Sequence, residues 1–103
     1  MQREKVKELI ERRRRQLAVH SYLYYRLDES IISDHKFDAW AMELVDLQNK
    51  YPEIAATAIY AEYFGDFDGS TGYDLPTHLP EIRSMAHRAL NYHKELLRNE
   101  QSE

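Results

Sequence analysis

Tyr22-Leu23-Tyr24-Tyr25-Arg26-Leu27-Asp28 and Ile32-Ser33-Asp34-His35-Lys36-Phe37-Asp38 are separated by three residues, and how the chain passes from one stretch to the other decides the fold. The first stretch ends a helical pattern. Upstream, Val6, Leu9, Ile10, Leu17, Tyr24 and Leu27 recur at steps that line one face of a helix, with Arg13 and His20 in the same stripe, so a long helix is expected over 3–27. Glu4, Glu8 and Glu11 suit its positive N-terminal end, and Glu8-Arg12 and Glu11-Arg15 form i,i+4 pairs. The second stretch opens another helix, because Ser33 is a good N-cap and Asp34 places a carboxylate in the first turn. Its apolar positions are Phe37, Trp40, Ala41, Leu44, Val45 and Tyr51, and Pro52 ends it by pushing Tyr51 out of helical geometry.

Residues 55–64 read as a short helix stopped by Gly65. The segment from Asp66 to Asp74 holds two of the three glycines among strong turn formers and reads as a loop. From Pro80 to about Arg98 a last helix is expected, with Ile82, Met85, Ala86, Ala89, Leu90, His93, Leu96 and Leu97 on one face. No alternating strand pattern competes. The expected fold is therefore all-α: an antiparallel helical hairpin (1–54), a short helix and a Gly/Asp-rich loop (55–79), and a third long C-terminal helix (80–103), in one domain.

The chain has 103 residues, with 14 Lys and Arg against 18 Asp and Glu, a formal charge of −4. That length suits one small core and excludes two-domain catalytic architectures within it. No cysteine is present, which removes disulfides, thiolate metal sites and thiol nucleophiles and favours the cytoplasm. No run approaches the length of a membrane span, so no membrane partner is expected. The first 26 residues are basic and residues 27–78 strongly acidic, which argues against a broad nucleic-acid surface. Arg12-Arg13-Arg14-Arg15 is the one concentrated basic run. On a helix its members diverge, leaving a solvated face or a DNA phosphate contact as alternatives.

The Tyr24-Tyr25, Asp28 and Ile32-Ser33-Asp34-x-x-Phe37-Asp38 pattern, with Glu43-Leu44 and Tyr51-Pro52-Glu53 behind it, resembles the small N-terminal helical domain (Ia) of bacterial NAD-dependent DNA ligases over residues 5–55. In that family the domain grips the nicotinamide mononucleotide (NMN) half of NAD, aromatic rings stacking the nicotinamide and carboxylates holding ribose hydroxyls. By motif position, the resemblance assigns ligand binding to Tyr24, Tyr25, Asp34, Phe37 and Asp38. The residues suit that chemistry: carboxylates at i and i+4 share a helix face, and a cationic ring favours aromatic faces near negative charge. On the residues alone, Tyr24 and Phe37 read equally as core contacts and Asp34 as a first-turn charge. The sequence departs from the family at Phe37, usually Tyr, at Ser30, often Pro, and after Glu53, where the usual linker gives way to the Gly/Asp loop and a further helix.

Adenylation requires a Lys-x-Asp-Gly nucleophile, and Lys36-Phe37-Asp38-Ala39 lacks the glycine and falls inside a helix, so the expectation is a binding protein rather than an enzyme. Asp66-Phe67-Asp68-Gly69-Ser70 resembles a phosphatase nucleophile motif but has no preceding strand, and it lacks the spacing of a calcium loop. It is either a connector or a lid whose Asp68, Gly69, Ser70, Thr71 and Tyr73 touch a ligand. The five histidines show no metal-ligand spacing, so no metal is expected. The favoured expectation is a non-catalytic, sequestering binder of NMN, NAD or an ADP-ribose derivative, of the kind a viral or mobile-element protein would use in a host cytoplasm, with no further cofactor. The alternatives are a detached lobe assisting a ligase partner and a helical DNA-associated module without ligand. Tyr60, Tyr63, Phe64 and Phe67, if exposed, would line a pocket or a homo-oligomer interface.

Overall fold

The computed structural model describes residues 2–70 and 74–101. Among these, five helices occur and no strand: α1 (Arg3–Arg26), α2 (Asp34–Lys50), α3 (Pro52–Thr57), α4 (Ala61–Phe64) and α5 (Pro80–Gln101). The long helix α1 is the centre of the molecule, packed on one side by α2 and on the other by α5, with α3 leaning on both α1 and α2. The all-α hairpin with a third long helix is thus the architecture found.

Local chemistry sets the corners. Asp28 adopts a left-handed conformation (φ 54°), which a short polar side chain tolerates, and turns the chain off α1 while the Glu29 N–H bonds back to the Leu23 carbonyl at 2.9 Å. Ser33 caps α2, its hydroxyl accepting from the Lys36 N–H at 3.0 Å. Tyr51 closes α2 and Pro52 starts α3 as its first residue.

The buried face of α1 differs from the stripe expected. It runs through Val6, Ile10, Arg14, Leu17, Ser21 and the neighbouring Ala18, Tyr22 and Leu23, while Tyr24 is 54% exposed and lies outside the core. Arg14, 1% exposed, is the buried arginine of the run. It donates to Gln48 Oε1 (3.0 and 2.7 Å) and to the carbonyls of Ala55 (3.0 Å), Ala58 (3.2 Å) and Ile59 (2.8 Å). Arg12 pairs with Glu8, and Arg13 with Glu43 and Gln16. The four arginines are therefore neither one solvated face nor one phosphate surface. Arg14 belongs to the interior because its fork matches carbonyls that the end of α3 and the turn after it present toward α1.

Three further expectations are corrected. The single short helix over 55–64 is two, α3 and α4, because Tyr60 takes a left-handed conformation (φ 67°) between them. Tyr60 and Phe64 are buried, and Tyr63 and Phe67 pack against the core, so this aromatic group fills the molecule rather than offering an interface. Leu96 and Leu97 are exposed, since α5 runs on past its last buried residue, Leu90, beyond any helix that could cover them.

Candidate functional site

Where α1 ends and α2 begins, their facing side chains leave a cleft of about 300 Å³. Helix α1 contributes His20, Ser21, Tyr24 and Tyr25; the turn contributes Glu29 to Ser33; α2 contributes Asp34, Phe37 and Asp38; and Gly69 and Ser70 approach from the loop. All five residues assigned by motif position, Tyr24, Tyr25, Asp34, Phe37 and Asp38, border this one space.

The walls are of two kinds. On the α1 side the Tyr24 and Tyr25 rings meet edge to face, with centroids 4.9 Å apart and planes at 84°. Phe37, partly buried and packed against the core, faces them from α2. Asp34 and Asp38 sit one turn apart on α2, exposed at the rim, with carboxylates that can accept from two adjacent hydroxyls. Glu29 also borders the cleft and is drawn toward Lys94 of α5 (3.5 Å). Aromatic faces near negative charge favour cationic groups in general.

The floor was not read from the sequence. His20 lies against Trp40, with ring centroids 5.6 Å apart, and burial together with the nearby Lys36 ammonium pushes its pKa down to about 4. It is therefore neutral at neutral pH. Ser21 is 1% exposed, and its Oγ has no hydrogen-bond partner among the described residues. The signal that could have found both is their position one turn before Tyr24 and Tyr25 on the same helix.

Among the loop residues, Gly69 and Ser70 reach the cleft. Asp68 does not line it; its carboxylate accepts from the Ser70 N–H (2.9 Å) and hydroxyl (2.6 Å), which holds the carboxyl below its usual range and fixes the turn. Gly69 has φ 85° and lies close to Ala41, Met42 and Val45 of α2. Thr71 and Tyr73 lie outside the described residues.

The combination is a small cleft between two helices, walled by aromatic rings and carboxylates. Residues 3–58 match the DNA ligase-like, N-terminal NAD+-binding domain, and the chain belongs to that family. It is 31% identical over 99 residues to the DNA ligase of Petrotoga mobilis, a match covering 91% of this chain and 15% of the ligase. It is 43% identical over 51 residues to the DNA ligase of Pseudothermotoga lettingae (50% and 8%) and 48% over 49 residues to that of Flavobacterium johnsoniae (48% and 7%). The chain thus spans a small part of the curated relatives it matches. No solved structure matches it. No described helix is long and apolar enough to cross a membrane.

Proposed function

We propose that the cleft binds the NMN portion of NAD or of a related nucleotide, with the ring stacked among Tyr24, Tyr25 and Phe37 and the ribose hydroxyls donating to Asp34 and Asp38. The observation that supports this is the convergence of all five residues on one cleft large enough for a ring and its sugar. The role within these 103 residues is recognition without turnover: a site that holds, and thereby sequesters, an NAD-derived nucleotide. Lys36, the lysine next to the site, extends its ammonium over the Trp40 ring (5.4 Å).

Calorimetric titration with NMN, NAD and ADP-ribose tests this reading. Asp34→Asn and Asp38→Asn should each weaken binding of NMN by about 1.5–3 kcal/mol, roughly ten- to more than a hundred-fold, with melting close to the parent. The nucleotide should be recovered unchanged, and no lysine should gain an adenylate from NAD. Full affinity in both variants, or a covalent adenylate, would sink the proposal.

A second reading is favoured by the Petrotoga alignment, which continues well past residue 58 into the loop and last helix. On this reading the chain is an NMN-recognition lobe working with a ligase adenylation domain. Enhanced nick sealing when it is added to such a domain would support that assignment over sequestration.

A further inference from the structure

Helix α5 packs chiefly along α1 and runs in the same direction, since Tyr22 meets His87 and Glu29 is drawn to Lys94. Ile82, Ala86 and Leu90 form its buried face. At Lys94 the helix is already level with the turn after α1, so Leu97, one heptad past Leu90 on the same face, is exposed because α1 has ended. Tyr92 and Leu96 belong to a different face. With Met85 and Ala89 they form a second stripe, whose steps of four, three and four residues are the spacing of a coiled-coil seam. Met85 is partly covered by the core and Ala89 is half-buried, but Tyr92 is 64% and Leu96 45% exposed.

The flanking charges select the occupant. Arg88 and Glu95 each stand one residue before a member of the stripe, Ala89 and Leu96, and so border the same edge of it. Both are exposed, and neither joins an ion pair among the described residues. An edge carrying one positive and one negative charge a heptad apart is complementary to itself reversed. With a second α5 laid antiparallel, its twofold axis passing between the levels of Ala89 and Tyr92, Arg88 faces the partner's Glu95 and Glu95 faces the partner's Arg88. The same register sets Ala89 against the partner's Tyr92 and Met85 against the partner's Leu96, so the central layers place small against large. A parallel pair would set alanine on alanine and tyrosine on tyrosine, and would keep the opposite charges a heptad apart.

We propose that this face of α5 is a homodimer interface, in which Met85, Ala89, Tyr92 and Leu96 of two chains pack as a short antiparallel coiled coil flanked by two Arg88–Glu95 pairs. A seam of four layers is small for a protein interface, so the association is reversible and concentration-dependent.

Sedimentation equilibrium of the full chain tests this: the mass should rise from 12.3 kDa toward twice that value with concentration. Tyr92→Glu should weaken association roughly tenfold or more, with the helix content of the parent, because the ring it removes is exposed in the single chain. Arg88→Glu and Glu95→Arg should each weaken association roughly three- to tenfold, since each sets like charges against one another across the seam. Mixing these two variants should give a dimer of one chain of each that is tighter than either forms alone, a recovery that the antiparallel register requires. A monomer up to about 1 mM, a dimer indifferent to Tyr92→Glu, or no recovery on mixing overturns the proposal. If the chain stays monomeric, capture of a ligase adenylation domain by the parent and not by Tyr92→Glu would assign the face to that partner instead.

Discussion

Two polar residues interrupt the buried seam of α1, and they are treated in opposite ways. Arg14 is surrounded: its guanidinium donates to the Gln48 side chain and three carbonyls, and lies 5.6 Å from the Phe64 ring centre. Ser21, two turns further on, has no hydrogen-bond partner among the described residues. At the Arg14 end the structure has closed its polar accounts internally. At the Ser21 end a hydroxyl is enclosed without a partner, in a residue that borders a cleft lined by aromatic rings and carboxylates. The difference separates the part of α1 that is tied to α2, α3 and α4 from the part that borders the cleft.

The sharpest way to break the comparison is at Arg14. Arg14→Leu keeps an apolar stem in the seam but leaves the Ala55, Ala58 and Ile59 carbonyls and Gln48 without their donor. It should destabilise the protein by about 3–5 kcal/mol in urea unfolding. Lysine cannot reproduce the planar fork, so Arg14→Lys should recover only part of the loss. Stability within 1 kcal/mol of the parent for Arg14→Leu would show that the α3–α4 turns hold themselves, and that Arg14 is not the fixed end of the seam.

The two ends also account for what the sequence made legible. The hairpin could be read because Val6, Ile10, Leu17 and Leu44 mark its buried faces by residue type, and because the Ser33 cap and Pro52 mark its corners. Tyr24, Tyr25, Asp34, Phe37 and Asp38 were singled out by motif, and they border one cleft. Arg14 could not, since its burial depends on acceptors 34 to 45 residues away that exist only after α3 and α4 have turned. The aromatic group from Tyr60 to Phe67 was hidden for a related reason. The left-handed Tyr60 swings Phe64 inward, and no local pattern signals that turn. Leu96 and Leu97 show the opposite error, in which periodicity alone implies a partner that the described structure does not supply.

A smaller effect tests the neutral floor of the cleft. The His20 pKa falls from an ordinary 6.5 to about 4 through burial and then the Lys36 charge, so between these values the unfolded chain binds a proton that the folded protein refuses. Stability from this group is complete above pH 6.5, declines as pH falls toward 4 and levels below that. The ring keeps some solvent contact, so the change should be about 1–2 kcal/mol. Because carboxylates also titrate near the lower limit, the measurement is the difference between the parent and His20→Asn in urea midpoints across pH 4–7.5. Parallel curves for the two proteins would mean that the histidine side chain is freely hydrated and that the floor carries charge in mild acid.

The smallest expected effect concerns the loop that reaches the cleft from outside the hairpin. Gly69 has φ 85°, and a Cβ there would stand 3.3 Å from Met42 Sδ and 3.5 Å from Val45 Cγ2. Met42 is exposed and its flexible thioether can give way, so the backbone conformation, more than the collision, sets the cost of a side chain. Gly69→Ala should therefore cost about 1 kcal/mol, and Gly69→Asn less, because asparagine tolerates the left-handed region. That energy is drawn on locally. Phe67 holds the start of the segment on Phe64, whereas Gly69 and Ser70 are held by the Asp68–Ser70 turn and by Gly69 lying on α2, so this tip can lift while α1, α2 and α5 stay packed. The global melt should barely move, whereas amide exchange at Ser70 should quicken and NMN affinity fall a few-fold, by less in the asparagine variant. A reversed order, with asparagine worse than alanine, would trace the loss to crowding against Met42. Unchanged affinity in both variants would confine the ligand-contacting walls to α1 and α2.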